Sequence, residues 1–313
     1  MKKIAVLIWL YHEDLAKEIY DLLKPISQYV DIFLALCEDK NNRSIIDTMS
    51  GLNNVKNISF FPNCGADIYS FINQITNVNP EEYEYFIKIH SKKNNWGENK
   101  ICNWRAMLLD NIIGSQKIFE ENIKYIDTTN AGMYGCKPLL YDEDKIDSSP
   151  HKPKIKELMN MLDIEQYTDH QFFGGTMFVG KVSLYQKVLN NYTDRICYLL
   201  SKEKGKIEEN RNGTYSHAME RILGYIGCSG GLRYLHNDYV CIKTSSNDLK
   251  KSYPYLDFRI MYNNDIYCLL QPSIYGSITK ISDDGFSVIW KQMNKLANYS
   301  KIRDNIYTRC LND

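Results

Sequence analysis

The first ninety residues alternate between short apolar runs and segments with helically spaced apolar positions. The runs are nearly continuous, which is typical of strands that are covered on both faces. They are KIAVLIWL (Lys3–Leu10), DIFLAL (Asp31–Leu36), VKNISFF (Val55–Phe61) and Tyr85–Ile89. Helical spacing occurs at Asp14–Leu23 and Ile68–Ile75. This order of elements predicts an α/β layered fold of the Rossmann type with a mostly parallel central sheet.

The later pattern predicts further helices, two strands and a change of texture. Helices are expected at 103–113, 117–122, 154–162, 183–189, 193–200 and 214–225, strands at 131–136 and 172–179, and a polar loop at 138–153. From about residue 236 the chain shows short β-like pieces, followed by a segment at about 287–298 that we predict to be helical. We therefore expect a domain at 1–235 and a small C-terminal extension or subdomain at 236–313.

Composition narrows the functional classes without naming one. The chain has 313 residues, 44% of them hydrophobic, and its 38 basic and 38 acidic residues cancel, so there is no global charge to attract nucleic acid. Its nine cysteines form no C-x-x-C pair, which favours reduced thiols in the cytoplasm over a zinc ribbon. The apolar start, Met1–Leu10, is too short for a membrane span and lacks a cleavage site. We expect a cytoplasmic location, with peripheral contact at the inner face of the cell membrane left open.

Polar residues follow the predicted strands where parallel strands place their ligand-binding edge. In the segment PNCGADIYSF, Gly65 permits a positive φ, and Asn63 and Asp67 lie between a strand and a helix. One interpretation is a turn in which Asp67 caps the helix. The other is a loop whose amides and carboxylate contact a nucleotide.

The strand Tyr85–Ile89 ends abruptly in a polar, basic sequence. His90, Ser91, Lys92 and Lys93 come next, and Arg105 lies farther along at the start of a helix. Clustered cations would neutralise a diphosphate. A solvated basic loop explains the two lysines equally well, and Arg105 either joins the anion site or pairs with an acid.

Two later segments carry the remaining candidates. Gly174 and Gly175 interrupt the apolar run FFGGTMFV, where glycine marks a bulge or the close approach of a ligand. Asp169 and His170 precede this run as secondary candidates. In the helix that follows, His217, Glu220 and Arg221 are spaced to share one face, as a general base with its neighbours or as a surface ion-pair cluster.

Five of these segments occur together in one order: NCGADIYSF, YFIKIHSKK, the pair Trp104-Arg105, GGTMF and GTYSHAMER. This series resembles the rhamnan synthesis protein F family of bacterial glycosyltransferases over about residues 3–230. The chain departs from the family pattern at Cys64 and Ala66, where basic residues are frequent. The resemblance implies transfer of a sugar from a UDP- or dTDP-linked donor to a glycan or lipid-linked glycan of a surface polysaccharide such as capsule, O-antigen or rhamnan.

The arrangement also resembles GT-A glycosyltransferases, and this resemblance implies roles for the candidates. Glu220 would be the base of an inverting transfer, with His217 and Arg221 beside it. The donor side would comprise Asn63, Gly65, Asp67, His90, Ser91, Lys92, Lys93 and Arg105, and the acceptor side Asp169, His170, Gly174 and Gly175. GT-A enzymes carry a metal-binding Asp-x-Asp where this chain has His90-Ser91-Lys92. We therefore expect a transferase without a metal or other cofactor, and a divalent cation such as Mn²⁺ or Mg²⁺ is the disfavoured alternative.

Two other classes of function stay open at this point. The missing Asp-x-Asp fits a catalytically degenerate module that binds glycan or scaffolds an assembly system. A metal hydrolase built on His90, His170 and His217 is disfavoured, because no H-x-H or H-x-x-x-H spacing supports it.

Overall fold

A computed structural model describes residues 3–93, 104–136, 139–146, 149–205, 207 and 212–235, together with six strands between residues 240 and 298. The predicted boundary between domains at 235 and 236 stays a prediction. Among the described residues, no helix is both long and apolar enough to cross a bilayer.

The centre of the fold is a seven-stranded sheet of order β3-β2-β1-β4-β8-β5-β9. Its strands are β1 (Lys3–Trp9), β2 (Val30–Cys37), β3 (Val55–Phe61), β4 (Tyr83–His90), β5 (Met133–Gly135), β8 (Phe178–Lys181) and β9 (Leu232–Tyr234). The first four are mutually parallel, β8 is antiparallel to β4 and β5, and β9 is parallel to β5. The predicted mostly parallel sheet is confirmed. A separate hairpin joins β6 (Leu140–Asp142) to β7 (Gln171–Phe173).

Helices cover both faces of this sheet. They are α1 (Ala16–Leu23), α2 (Arg43–Met49), α3 (Ile68–Ile75), α4 (Trp104–Ile113), α5 (Gln116–Thr129), α6 (Lys152–Leu162), α7 (Val182–Leu189), α8 (Thr193–Ser201) and α9 (Tyr215–Ser229). One core cluster takes buried side chains from α1, α2, α4 and α5. The other takes them from α3 and α6 to α9. Burial on both faces explains the near-continuous apolar runs of the parallel strands.

Three local predictions were wrong. The expected strand at 172–179 is broken into β7 and β8, because Gly175 and Thr176 adopt φ values of 89° and 54° that no strand accommodates. The polar loop at 138–153 contains β6 and the start of α6. The segment at 287–298 forms β14 (Val288–Gln292) and β15 (Lys295–Asn298) instead of a helix, in keeping with the β-branched and aromatic residues of β14.

The other strands beyond residue 239 are β10 (Val240–Ser245), β11 (Phe258–Tyr262), β12 (Asp265–Leu270) and β13 (Gly276–Ile281). They pair antiparallel within two three-stranded sheets, β10-β12-β11 and β13-β14-β15.

The carboxyl ends of β1 to β4 meet at one edge, as the sequence predicted. The amide of Leu10 donates to Ala35 O at 3.0 Å, that of Glu38 to Phe61 O at 2.9 Å, and that of Ser91 to Trp9 O at 3.0 Å. These bonds hold the polar segments after the strands side by side.

Candidate functional site

A buried ion pair lies beneath this edge. Lys88 of β4 is 1% exposed, and its Nζ donates to the carboxylate of Asp67 and, at 3.1 Å, to the carbonyl of Thr176. The Thr176 hydroxyl donates to the same Asp67 oxygen. A buried ammonium is tolerated only when it is paired and hydrogen-bonded, so Asp67 and Thr176 are required by Lys88.

Of the two interpretations of Asp67, the helix cap is wrong. Asp67 occupies the N-cap position of α3, but its side chain makes no capping hydrogen bond. A buried ammonium is a stronger partner for a carboxylate than a backbone amide is, and Lys88 takes that carboxylate.

Burial and mutual contact shift the pKa values of Asp67, Lys88 and His90. Burial alone would raise the pKa of the Asp67 carboxyl, but His90, Lys88 and the Thr176 hydroxyl together hold it well below its usual value. Burial lowers the pKa of Lys88, and Asp67 opposes that shift. Burial also lowers the pKa of His90 from 6.5 to about 4, against the attraction of Asp67. Near neutral pH His90 is therefore uncharged, and Lys88 supplies the positive charge that keeps Asp67 ionised.

His90 is fixed in one tautomer by the turn opposite it. Its Nε2 lies 2.8 Å from Gly175 O, and a carbonyl can only accept, so Nε2 carries the proton. The ring is 6% exposed. His90 thus links the end of β4 to the turn that precedes β8.

The lowered pKa of His90 predicts the acid stability of the fold. Between pH 6.5 and about 4 the unfolded chain binds a proton at this residue that the folded chain does not. The free energy of unfolding should therefore fall as pH decreases through that window. Urea unfolding of the wild type and His90→Gln at several pH values checks this, because the variant should show a smaller slope between pH 6.5 and 4. Equal slopes would contradict the assignment.

The turn at residues 174–176 connects His90 to Glu220 of α9. Gly175 N donates to Glu220 Oε1 at 2.7 Å, while its carbonyl accepts from His90. Gly174 N donates to Leu139 O at 2.8 Å and so anchors the turn. The positive φ of Thr176 is unusual for a β-branched residue, and such strain concentrates at functional sites.

Arg221 holds the second oxygen of Glu220. Its Nη1 donates to Glu220 Oε2 at 2.6 Å, its Nε donates to Glu143 Oε2 at 3.3 Å, and its guanidinium lies 4.5 Å above the ring of Phe172. The Glu220 carboxylate is therefore held at both oxygens. Each oxygen has a second lone pair, so the hydroxyl of a ligand can still donate a hydrogen bond to it.

Of the three residues predicted to cluster on α9, Glu220 and Arg221 contact each other through their side chains, whereas the His217 side chain has other partners. The ring of His217 stacks on that of His151, with centroids 5.0 Å apart, and its Nδ1 lies 2.6 Å from Thr214 Oγ. Thr214 also caps α9, accepting from His217 N. The contact of His217 with Arg221 is through its backbone carbonyl, at 3.0 Å from Nη1.

Glu203 joins the loop after β3 to the start of α9. Its carboxylate accepts from the amides of Tyr215 and Ser216 and from the Ser216 hydroxyl. Its carbonyl accepts from Gly65 N at 2.8 Å. Gly65 has a φ of 59°, as predicted, and a Cβ there would lie 2.7 Å from that of Leu200. Glu203 therefore connects the loop that carries Gly65 and Asp67 to helix α9, which carries Glu220.

Removing that carboxylate should destabilise the fold measurably. We expect Glu203→Ala to lower the free energy of unfolding by about 1–2 kcal/mol, because the first turn of α9 loses a charged acceptor. Lys204→Ala, an exposed neighbour on the same loop, is the matched control and should stay within about 0.5 kcal/mol of wild type. Urea unfolding measures both. Equal losses in the two variants would remove the connection proposed for Glu203.

Two of the basic residues after β4, Lys93 and Arg105, are paired with acids. Arg105 makes two hydrogen bonds to Glu18, at 2.9 and 2.8 Å, and Lys93 Nζ lies 3.0 Å from Asp14 Oδ2. Ser91 Oγ accepts from Tyr11 N at 2.7 Å and His12 N at 2.9 Å, so it fixes the loop after β1. Of the two interpretations of Arg105, the structure shows pairing with an acid. A role for these residues in binding a diphosphate stays a prediction.

An aromatic surface stands beside them at the same edge. Lys40 Nζ lies 4.0 Å from the centre of the Tyr11 ring and donates to Tyr11 O at 2.9 Å. Asn63 Nδ2 donates to the Tyr11 hydroxyl at 3.2 Å. The Tyr11 ring also stacks on Trp9, with centroids 6.2 Å apart, so the groups that this surface offers to a ligand are the Tyr11 hydroxyl and the Asn63 amide.

The side chains of Asp169 and His170 have other partners, and His170 meets the network through its backbone carbonyl, which accepts from Glu143 N at 3.1 Å. His170 Nδ1 is 2.9 Å from Asp144, its Nε2 is 3.1 Å from Tyr167 O, and Asp169 accepts from Gln171 N at 3.3 Å. Within the described part of the chain, no group of three or more His, Cys, Asp or Glu residues is arranged to hold a metal ion. His90, His170 and His217 each have different partners, and metal independence stays a prediction.

Several residues of this hydrogen-bonded network were not predicted from the sequence, namely Lys88, Thr176, Glu143, Glu203 and Tyr11. A signal existed for Lys88, since it shares a strand face with His90 at i and i+2 and is a charged residue inside an apolar run. Glu143 and Glu203 lie in polar segments where nothing in the local sequence separates them from solvated acids.

Comparison with known proteins places this geometry in a family. A search of curated proteins found no match. A solved structure described as "Crystal Structure of a Mycobacterial Protein" is 11% identical, with 78% of this chain and 80% of that chain covered and a TM-score of 0.35, too low to support an argument. The model of the family described as "Rhamnan synthesis protein F" matches residues 1–231. That match spans six of the seven strands of the central sheet, all but β9, and every residue of the network, and the chain belongs to the rhamnan synthesis protein F family.

Proposed function

We propose that this protein is a glycosyltransferase of polysaccharide synthesis that uses Glu220 as its general base. Family membership supports a place in polysaccharide biosynthesis. The observation that carries the enzymatic proposal is the fixation of Glu220 by Gly175 N and Arg221, next to the carboxyl end of β4. A carboxylate held in one orientation at a ligand-binding edge is suited to proton abstraction.

The reaction follows from these positions. Glu220 takes the proton of an acceptor hydroxyl, and the oxygen attacks the anomeric carbon of the donor sugar. The bond from that carbon to the diphosphate breaks, and the nucleoside diphosphate leaves with the electron pair. Attack opposite the leaving group inverts the anomeric centre.

The donor fits the edge formed by the segments after β1 to β4. In this proposal the nucleobase meets the Tyr11 hydroxyl and the Asn63 amide, while Lys92 and Lys93 neutralise the diphosphate. Exchange of Asp14 for a phosphate costs Lys93 little, because both side chains are largely exposed, at 61% and 42%. Arg105 is more buried and bidentate, so we expect it to stay with Glu18. No metal is required to balance the charge.

A thermal-shift series with UDP- and dTDP-sugars tests donor binding. A ligand that binds the folded state raises the melting temperature, so one nucleotide class should stabilise the protein, with or without EDTA. Asn63→Ala should lose most of that shift, whereas Asn57→Ala, an exposed amide on β3, should keep it. A shift abolished by EDTA and restored by Mn²⁺ would overturn metal independence. The absence of any shift would argue against a nucleotide-sugar donor.

A further inference from the structure

A cleft lined in part by Glu143 opens near Arg221, whose guanidinium contacts both Glu143 and Glu220. It has a volume of 300 Å³ and lies between the segment after β6, helix α6 and one face of α9. Its walls include Glu143, Lys156, Met159, Asn160, His170 and Tyr225. This volume is at the lower end of the range for small-molecule sites, which suits one or two sugar rings.

Glu143 gives this cleft an unsatisfied hydrogen-bond acceptor. The residue is 3% exposed, and its Oε2 accepts from Arg221 at 3.3 Å. Its other oxygen, Oε1, is buried and has no hydrogen-bond partner among the residues that the structure describes. A buried carboxylate oxygen without a donor costs free energy, and a ligand hydroxyl in the cleft would remove that cost.

The remaining walls match a neutral polyol better than an ion. The lining of the cleft carries charges of both signs, the acids Glu143, Asp144 and Glu165 and the lysines Lys152 and Lys156, and Glu143 also lies 3.3 Å from Arg221. Lys156 and Asn160 add donors and an amide at the rim, and Met159 adds an apolar surface. Mixed donors and acceptors around an apolar surface are the usual complement of a sugar ring, which has hydroxyl edges and an apolar face.

We infer that this cleft binds a saccharide ring of the acceptor glycan. The inference rests on the proposed function, and it assigns the acceptor to the α6 side of α9. Tyr225 follows Arg221 by one helical turn, so a glycan seated here would extend along α9 toward Glu220. Arg221 then contacts two carboxylates. Its contact with Glu220 orients the proposed base, and its contact with Glu143 orients a carboxylate of the acceptor subsite.

Saccharide binding can be measured without catalysis. Saturation-transfer NMR and calorimetry with a rhamnan oligosaccharide should detect binding to the wild type. The double variant Lys156→Ala/Asn160→Ala should bind about tenfold more weakly, since two hydrogen bonds are lost, while its thermal shift with nucleotide sugars stays unchanged. Lys124→Ala, an exposed lysine on α5 away from the cleft, is the matched control and should bind as wild type does.

The outcomes separate this inference from the proposed function. Unchanged oligosaccharide affinity in the double variant, or no oligosaccharide binding by the wild type, would overturn the cleft as an acceptor site even if sugar transfer were observed. Weakened binding in the double variant, in a protein that binds no nucleotide sugar, would support the cleft and overturn the proposed transferase.

Discussion

Replacing Glu220 by glutamine is expected to lower the rate of sugar transfer by about 10²- to 10⁴-fold while leaving donor binding essentially unchanged. Glutamine keeps the shape of the side chain and can still accept from Gly175 N, so the turn at 174–176 should persist. It cannot take the proton of an acceptor hydroxyl. Steady-state kinetics with a matched calorimetric titration of the donor would show a loss in kcat with little change in affinity.

The control for this variant is Glu157→Gln on α6. Glu157 is an exposed carboxylate that accepts from the Tyr215 hydroxyl at 2.9 Å, outside the network around Glu220. It should keep full activity. If Glu220→Gln turned over at nearly the wild-type rate, another group would have to be the base.

Replacing Asp67 by asparagine is expected to destabilise the folded protein by about 3–5 kcal/mol, because Lys88 is left buried without its counter-charge. The same ion pair also predicts that the folded state loses stability at low pH. The pKa of Asp67 is lowered in the folded state, so its contribution is complete above the unfolded-state value near 3.8 and is lost as pH falls below it. Urea unfolding at neutral pH measures the first effect.

A double-mutant cycle distinguishes loss of the ion pair from a nonspecific loss of stability caused by the substitution at Asp67. Asp67→Asn combined with Lys88→Met should recover part of the stability lost in the single variant, since the unpaired charge is gone. Asp14→Asn breaks the exposed pair with Lys93 and should cost less than about 1 kcal/mol. If Asp67→Asn were as mild as Asp14→Asn, the pair would not be the structural centre of the site.

The sheet could be predicted from sequence because strands that are buried on both faces are nearly continuous apolar runs. The apolar runs of β1, β2 and β4 and the polar residues after them were enough to locate the ligand-binding edge. Helix α2 was missed, because only Ile45 and Met49 of its residues are fully buried and its apolar pattern is correspondingly short. The break between β7 and β8 was missed because a pair of glycines is equally typical of a bulge within one continuous strand.

The partners within the site could not be predicted, because they are set by contacts between distant segments. Asp67 lies next to a helix start and so resembles a cap, and only the approach of β4 shows that Lys88 takes its carboxylate. Arg221 was placed beside His217 by helical spacing, but the guanidinium reaches Glu143 from another element. Helical periodicity reports which residues share a face and not which segment packs against it.

The most direct test is to incubate the protein with UDP- and dTDP-sugars and a rhamnan oligosaccharide, and to quantify the nucleotide and glycan products by mass spectrometry. We predict that one donor yields nucleoside diphosphate and extended glycan in equal amounts, that EDTA does not prevent this, and that Glu220→Gln forms neither product. A folded protein that binds the oligosaccharide but releases no nucleoside diphosphate from any donor would contradict this prediction, and would favour a binding module in polysaccharide assembly.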